Sequence, residues 1–382
     1  MRIAILGAGP AGLYLAYLIK RRAPDMEVTV IEQNAADATF GFGVVFSDRA
    51  LEFLREDDED TFAAIVPHME SWSDMMLNLR RERVVIDGIG FAAIGRLHLL
   101  QLLQARATSV GVAPVYHRLV QSLDELDDFD LVVGADGVNS LVRRTFADAF
   151  GASVTYLTNR FAWFGTTQRF DTLTQTFVET EQGTFNAHHY RYAAGSSTFI
   201  VEMNAATFAA MGFAAMDETR SRHTCERLFA DTLDDHPLIS NNSIWRQFPI
   251  VRNARWSHGK YVLLGDALHT AHFSIGSGTR LAMEDAIALD KALAAHSRDW
   301  RAALEAYEAA RRPILEKLVA GANGSADWYE HFAGHMALAP ADFAMSYITR
   351  SGRVDFERLR NLSPGFVARY ERERGPINPS LP

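Results

Sequence analysis

Gly7, Gly9 and Gly12, with Pro10 and Ala11 among them, stand at the spacing of a loop that wraps a pyrophosphate, and Glu32 follows about twenty residues after the last glycine. Such a set can hold a dinucleotide. The first glycine permits a tight turn, the second lets backbone amides approach the phosphates, and the third lets a helix lie close on a sheet. Glu32, with Gln33 beside it, is placed to accept hydrogen bonds from a ribose hydroxyl. Two later stretches carry glycine with acid: Gly134-Ala135-Asp136-Gly137-Val138-Asn139-Ser140 with Arg143 close behind, and Gly265-Asp266-Ala267-Leu268-His269 followed by Gly276-Ser277-Gly278-Thr279. For proton chemistry near neutral pH the candidates are His188, His189 and His272.

The elements that must position these residues can be read from periodicity. Arg2 to Leu6 is a strand entering the glycine turn, an apolar helical pattern runs to about Lys20, and Val28 to Ile31 is a second strand ending on Glu32. In Phe40 to Phe46 glycine alternates with large apolar residues, which suits backbone packed flat against a planar ring or an ordinary tight strand; Arg49 opens a helical pattern. Glu56 to Asp60 reads as a solvated helix end or loop, and Trp72 to Ile86 as strand-like patches carrying Arg80, Arg81 and Arg83. Arg96 opens an apolar helix that ends near Gly111, and Phe129 to Gly137 is a buried strand stopping on a Gly/Asp turn. Phe161 to Gln168, Gln175 to Thr180, Thr184 to Tyr192 and Ser197 to Met203 alternate as an antiparallel meander, and Asp217 to Leu233 is helical. Tyr261 to Ala267 is again a buried strand ending in Gly-Asp, with helices from about Thr279 to Ala294 and from Trp300 to about Ala320. The tail Pro376 to Pro382 is expected to fray.

The bulk numbers narrow the class. A chain of 382 residues with 48% hydrophobic and 22% charged residues is an ordinary soluble composition with room for two domains. A net charge of −9 argues against a nucleic-acid or anionic-membrane surface. The single cysteine, Cys225, sits in a helix-like stretch and reads as a buried apolar residue in a reducing compartment. With no signal segment before the first strand and no window of about 20 apolar residues, a cytoplasmic location is expected. No metal site is expected.

Taken together, in this order and spacing, the three glycine motifs resemble the class A flavoprotein aromatic hydroxylases, the family with the para-hydroxybenzoate hydroxylase fold. The resemblance covers essentially the whole chain. It implies an α/β fold: a Rossmann-like FAD-binding domain in two pieces, 1–155 and 256–320, an inserted antiparallel β-sheet substrate domain, 156–255, and a C-terminal helical segment, 321–382. It further implies that Gly7, Gly9, Pro10, Ala11, Gly12, Glu32 and Gln33 hold the ADP half of FAD, that Arg96 lies near the pyrophosphate, and that Asp136 touches both FAD and the pyridine nucleotide. Gly265 and Asp266 would bind the ribitol and pyrophosphate region, with Val44 and Val45 also at the cofactor. Gly276, Ser277, Gly278 and Thr279 would face the pyrimidine edge of the flavin, where a helix N-terminus stabilises negative charge on the reduced ring. His272-Phe273-Ser274-Ile275 and Thr279-Arg280 depart from the proline-rich approach and asparagine of many relatives, so flavin position and substrate mouth are expected to differ from the prototype.

Phe40 to Phe46, Phe161 to Gln168, His269 to Arg280 and Ser346 to Leu362 look, more narrowly, like the salicylyl-CoA 5-hydroxylases and the hydroxylase half of anthraniloyl-CoA monooxygenases, and several are shared with the indole-ring hydroxylases of violacein-type pathways. The implied activity is reduction of FAD by NADH or NADPH, formation of a flavin C4a-hydroperoxide with O2, and hydroxylation of a small aromatic substrate carried as a CoA thioester. The alternatives are hydroxylation of a free aromatic or indole compound, or a non-oxygenating FAD reductase. With the chain ending at Pro382, a stand-alone hydroxylase is expected. His188 or His189 would face the flavin side by strand alternation, with His272 as rival, and Trp163, Tyr190 and Gln168 are candidate ring contacts. CoA phosphates would be met by Arg80, Arg81 and Arg83, or by Arg143 and Arg144. Oligomeric state is open in this pattern.

Overall fold

In the computed structural model, which describes residues 1–47 and 51–376, the glycine turn follows an inner strand of a five-stranded sheet. Its spatial order is Ser257–His258, Tyr261–Leu263, Leu131–Gly134, Arg2–Leu6 and Glu27–Ile31, all parallel except the first. The inner strands Arg2–Leu6 and Leu131–Gly134 are apolar runs because they are buried on both faces. The helix Pro10–Arg22 returns across the sheet and packs on Arg96–Ser109 and Gly278–Ala295. All three strands that end in glycine motifs therefore finish at one rim, where open α/β sheets bind ligands. The expected helical start at Arg49 and the tail 377–382 lie outside the described residues.

A seven-stranded sheet stands over that rim in the order Leu238–Ile239, Arg160–Thr166, Ser196–Met203, Gly183–Ala193, Leu173–Thr180, Met75–Leu79 and Glu82–Ile86. Two features differ from the sequence reading. The sheet is mixed, since Leu173–Thr180 runs parallel to Met75–Leu79, and it draws two strands from residues 75–86, upstream of the expected insertion. Short alternating strands fix which residues share a face but not which chain segment supplies the edge.

One face of this sheet packs on Phe213, Cys225, Phe229 and Leu233, so the cysteine is a buried apolar residue. The other packs on the C-terminal helices through Trp328, Tyr329, Phe332, Phe343 and Tyr347, and opens toward the rim beside them. The helix expected to stop near Ala320 runs from Trp300 to Glu330. Gly321 and Gly324 are not stop signals: a Cβ at Gly321 would lie 2.7 Å from Arg353 Cδ, and one at Gly324 would lie 3.3 Å from the Arg350 carbonyl. They admit the crossing of residues 350–353.

The acidic run 56–60 joins two helix ends with Glu56, Glu59 and Asp60 exposed, as expected, but Asp58 is an exception. Asp58 is buried, caps the helix Glu59–Ile65, meets Arg21 at 2.6 Å and accepts from the Tyr14 hydroxyl at 3.2 Å. Sequence context offered no sign of Arg21 and Tyr14, or of Arg106 at 3.8 Å, which compensate it. Among the described residues, no helix is long and apolar enough to cross a membrane.

Candidate active site

The glycine turn is built tightly. Gly7 has φ of +98°, and a Cβ there would lie 2.3 Å from the Ala135 carbonyl oxygen; a Cβ at Gly12 would lie 2.0 Å from the Gly7 carbonyl oxygen. Gly9 is different, because a Cβ added to it would meet no protein atom within 4 Å. Its backbone faces open cavity. The helix Pro10–Arg22 begins at Gly9 with no side chain capping it, and Gly278–Ala295 begins at Ser277 likewise uncapped. Both helix N-termini line the same cavity of about 690 Å³, and two uncapped positive ends facing one space suit an anionic ligand.

A second cavity of about 490 Å³ continues from Gly7 and Gly9 past Glu32, Gln33, Tyr116, Arg118, Asp136 and Arg144. Glu32 already accepts from the amides of Ala8 at 2.9 Å and Asn34 at 2.8 Å, and keeps lone pairs toward the cavity it lines. Asp136 holds the Leu141 amide through Oδ2 at 2.7 Å, while its buried Oδ1 has no partner. Burial raises the Asp136 carboxyl pKa, and its hydrogen bonds partly offset this. Arg96 lines both cavities; burial lowers its pKa and Asp266 opposes the shift. Asp266 projects into the larger cavity with protein around it, which raises its carboxyl pKa against the pull of His269 and Arg96.

What holds the Gly265-Asp266 turn is a buried network that the sequence reading did not find. Asp285 accepts from the Gly265 amide at 3.1 Å, pairs with His269 Nε2 at 2.7 Å and meets Arg311 Nε at 2.9 Å. His269 and Arg311 hold the Asp285 carboxyl below its ordinary value although burial opposes them. Spacing within the helix hints at Asp285, but Arg311 comes from the next helix and carried no signal.

The histidines separate by strand alternation. His188 lines the larger cavity, with Trp163, Tyr190 and Ile200 around it; His189 lies on the opposite face of the sheet, between Phe170 and Phe199, with Nε2 2.9 Å from Thr176 Oγ1. His272 is packed among Phe248, Phe273 and Tyr329 with Nδ1 2.8 Å from Ser274 Oγ, and does not line the cavity. A histidine titrating near neutral pH is not what the structure provides. Burial, then the Arg350 charge, pushes both His188 and His272 down to about 3, and His189 is also pushed well down by burial. Neither ring nitrogen of His188 has a protein partner, and neither does Trp163 Nε1.

Several expected contacts fall elsewhere. The Tyr190 hydroxyl is taken by the Gly43 carbonyl at 3.0 Å, although its ring lines the cavity, and Gln168 is not among the lining residues. Val44 and Val45 do line it, but the glycines beside them pack against the protein's own rings: a Cβ at Gly41 would meet Trp163 at 2.9 Å and one at Gly43 would meet Tyr192 at 2.6 Å. Arg143 is buried and donates to the carbonyls of Ala267 and Val138, Arg80 donates to the Met336 carbonyl, and Arg81 pairs with Asp231 in solvent. None of these three, nor Arg83, lines the larger cavity, and Arg144 lines only the smaller one; Arg246 does line the larger, with Tyr156, Gln247 and Phe248.

Residues 101–322 match the family described as FAD binding domain, and residues 5–37 match the NAD(P)-binding Rossmann-like domain. A salicyloyl-CoA 5-hydroxylase of a Streptomyces species is 45% identical over 361 residues, 92% of this chain and 70% of that protein. The chain belongs to the class A FAD-dependent monooxygenases. A 3-hydroxy-4-methyl-anthranilyl-[aryl-carrier protein] 5-monooxygenase of Streptosporangium sibiricum is 35% identical, covering 96% of this chain and 99% of that one. In fold, the monooxygenase is like P. aeruginosa PqsL in complex with 2-aminobenzoylacetate: TM-score 0.68, 21% identity, 87% of this chain and 98% of that chain. Its cofactors are FAD and NAD(P)H. The open backbone at Gly9, the two uncapped helix ends and the unpartnered Asp136 Oδ1 fit a dinucleotide laid across both cavities. Among the described residues no cluster of His, Cys, Asp and Glu could hold a metal ion.

Proposed function

We propose that this monooxygenase hydroxylates the ring of an aryl-CoA thioester such as salicyloyl-CoA, with NAD(P)H and O2 as co-substrates. The observation that carries the reading is the pair of unpartnered groups in the cavity, the His188 imidazole and the Trp163 indole N–H, beside a space long enough for a flavin ring and an aromatic acyl group. An ortho-hydroxyaryl thioester offers a hydroxyl and a carbonyl to match them. The salicyloyl-CoA 5-hydroxylase at 45% identity supports the same substrate class.

On this reading the glycine finger, Glu32, Gln33 and Asp136 hold the ADP half of FAD, Arg96 and Asp266 the middle, and Gly276 to Thr279 with Val44 and Val45 the ring. Bound FAD, reduced by NAD(P)H, supplies the oxygen atom in activated form. The chain's own part is placement and dryness. Phe161, Ile200, Phe248 and Phe273 wall the substrate side and exclude water. His188, neutral at working pH, accepts a hydrogen bond from the ring hydroxyl and so raises electron density at the carbon para to it. Trp163 Nε1 donates to the acyl oxygen and fixes which ring carbon faces the flavin. The sheet that carries both residues, residues 75–86 included, is the substrate-binding unit.

The test is turnover of the purified yellow protein with NADH or NADPH against salicyloyl-CoA, benzoyl-CoA, free salicylate and tryptophan, read by product mass. Gain of one oxygen on salicyloyl-CoA, and little on the others, is expected. Gain only on a free acid or on tryptophan would overturn the substrate, and peroxide release with every compound unchanged would overturn the activity.

A further inference from the structure

The larger cavity has to take the flavin ring as well as the aryl group, and its volume of about 690 Å³ leaves no room inside for a nucleotide. The phosphate end of a CoA thioester must therefore lie at the mouth. The chain carries a net charge of −9, so a polyanion is repelled unless a local cation receives it. The basic residues first considered for that role lie elsewhere: Arg143 is buried on backbone carbonyls, Arg144 lines only the smaller cavity beside Asp136 and Glu32, and the hairpin arginines 80, 81 and 83 do not line the larger cavity.

Arg246 does line it. Its backbone is pinned to the edge of the substrate sheet by reciprocal hydrogen bonds with Phe161, both 2.9 Å. Its guanidinium is exposed, lies 5.8 Å from the centroid of the Phe40 ring, and meets no carboxylate among the described residues, whereas Arg191, Arg280 and Arg311 each pair with one. Phe40 is 48% exposed, and its loop is tied to Asn241, which donates to the carbonyls of Thr39 and Gly41 at 3.1 Å. An exposed guanidinium on a pinned backbone, with no carboxylate partner among the described residues and with Phe161, Ile200, Phe248 and Phe273 in the same cavity, suits a phosphate while the acyl group goes in.

We propose that Arg246 binds the diphosphate of the CoA thioester, with Phe40 and Tyr156 flanking the pantetheine arm where it enters. This assignment rests on the aryl-CoA reading and deepens it. It makes Arg246 a specificity residue that discriminates the CoA thioester from its truncated analogues without touching the reacting carbon.

The experiment compares wild type, Arg246→Ala and Arg246→Lys, all loaded with FAD, on salicyloyl-CoA and on the salicyloyl thioester of N-acetylcysteamine, which has no phosphate; binding of CoA itself is measured by equilibrium dialysis. Arg246→Ala is expected to raise KM for salicyloyl-CoA at least tenfold, to weaken CoA binding in parallel, and to leave kcat and the KM for the truncated thioester within twofold; Arg246→Lys recovers part of the loss. Equal changes for both thioesters, no change for either, or a rise in KM for NAD(P)H instead would overturn the assignment. Wild-type protein that hydroxylates neither thioester but does hydroxylate free salicylate would overturn the aryl-CoA reading itself, and the assignment with it.

Discussion

His188 and His189 are neighbours in sequence with opposite fates, and the difference is measurable. His188→Ala removes the group that faces the cavity. Product formed per NAD(P)H is expected to fall by about 10²-fold, with peroxide taking its place, while the fold is retained. His189→Ala instead opens a hole between Phe170 and Phe199; it should cost about 3 kcal/mol in denaturant unfolding and leave the coupling of the folded fraction intact. Normal coupling in His188→Ala would remove the residue from the mechanism. Buried behind His188 on the same sheet face, Glu202 accepts from Asn159 at 2.8 Å, has Oε2 unpartnered, and has its carboxyl pushed up to about 8 by burial. A folded pKa above the unfolded one means its stabilising contribution is present at acid pH and is lost as pH rises from about 4.5 through 8. Glu202→Gln, which stays neutral, should therefore gain on wild type across that window, by about 2 kcal/mol or more by pH 8. His188 and His272 act in the opposite sense: held at about 3 when folded, they weaken the fold as pH falls below the ordinary histidine value of 6.5.

At the level of elements, the cofactor rim depends on turns that are themselves held from behind. Asp285 ties the Gly265 amide to His269 and Arg311, so Asp285→Ala takes from both buried groups the carboxylate they share, leaving Arg311 only Glu284, and frees the turn before Asp266. A loss of about 3 kcal/mol and release of FAD on gel filtration are expected; a variant as stable and as yellow as wild type would show that the network does not support the site. This is also where sequence legibility divides. Gly7, Gly12, Asp136 and Asp266 could be found because their motifs compress strand, turn and helix into one local pattern. Asp285 and Arg311 could not, because their meaning lies in a pairing between two helices. Strand alternation fixed that His188 and His189 point opposite ways, yet which one meets the cavity depended on which sheet face the C-terminal helices cover. Asp58 was misread for the same reason: its run looks solvated until Arg21 and Tyr14 arrive from another helix.

In the whole molecule, the substrate sheet stands over the dinucleotide-binding rim and is backed on that same face by the C-terminal helices. The C-terminal helices clamp onto the sheet through Asp87, whose carboxylate accepts from the amides of Gly365 at 2.9 Å and Phe366 at 2.6 Å and so caps the helix Pro364–Arg374 from the end of a hairpin strand 278 residues earlier. Asp87→Ala should lower stability by about 1–2 kcal/mol and speed limited proteolysis after residue 350; unchanged cleavage would place the clamp elsewhere. The composition showed a net charge of −9, and only the assembled molecule shows Arg246 exposed at the cavity with no carboxylate partner among the described residues. The central claim is that this assembly puts one oxygen atom of O2 onto the ring of an aryl-CoA thioester. The most direct test is turnover of salicyloyl-CoA with NAD(P)H under 18O2, with the product thioester read by mass. One 18O atom in each dihydroxybenzoyl-CoA formed, with product equal to NAD(P)H consumed, is expected. Unlabelled thioester recovered intact, with all the label in hydrogen peroxide, would contradict it.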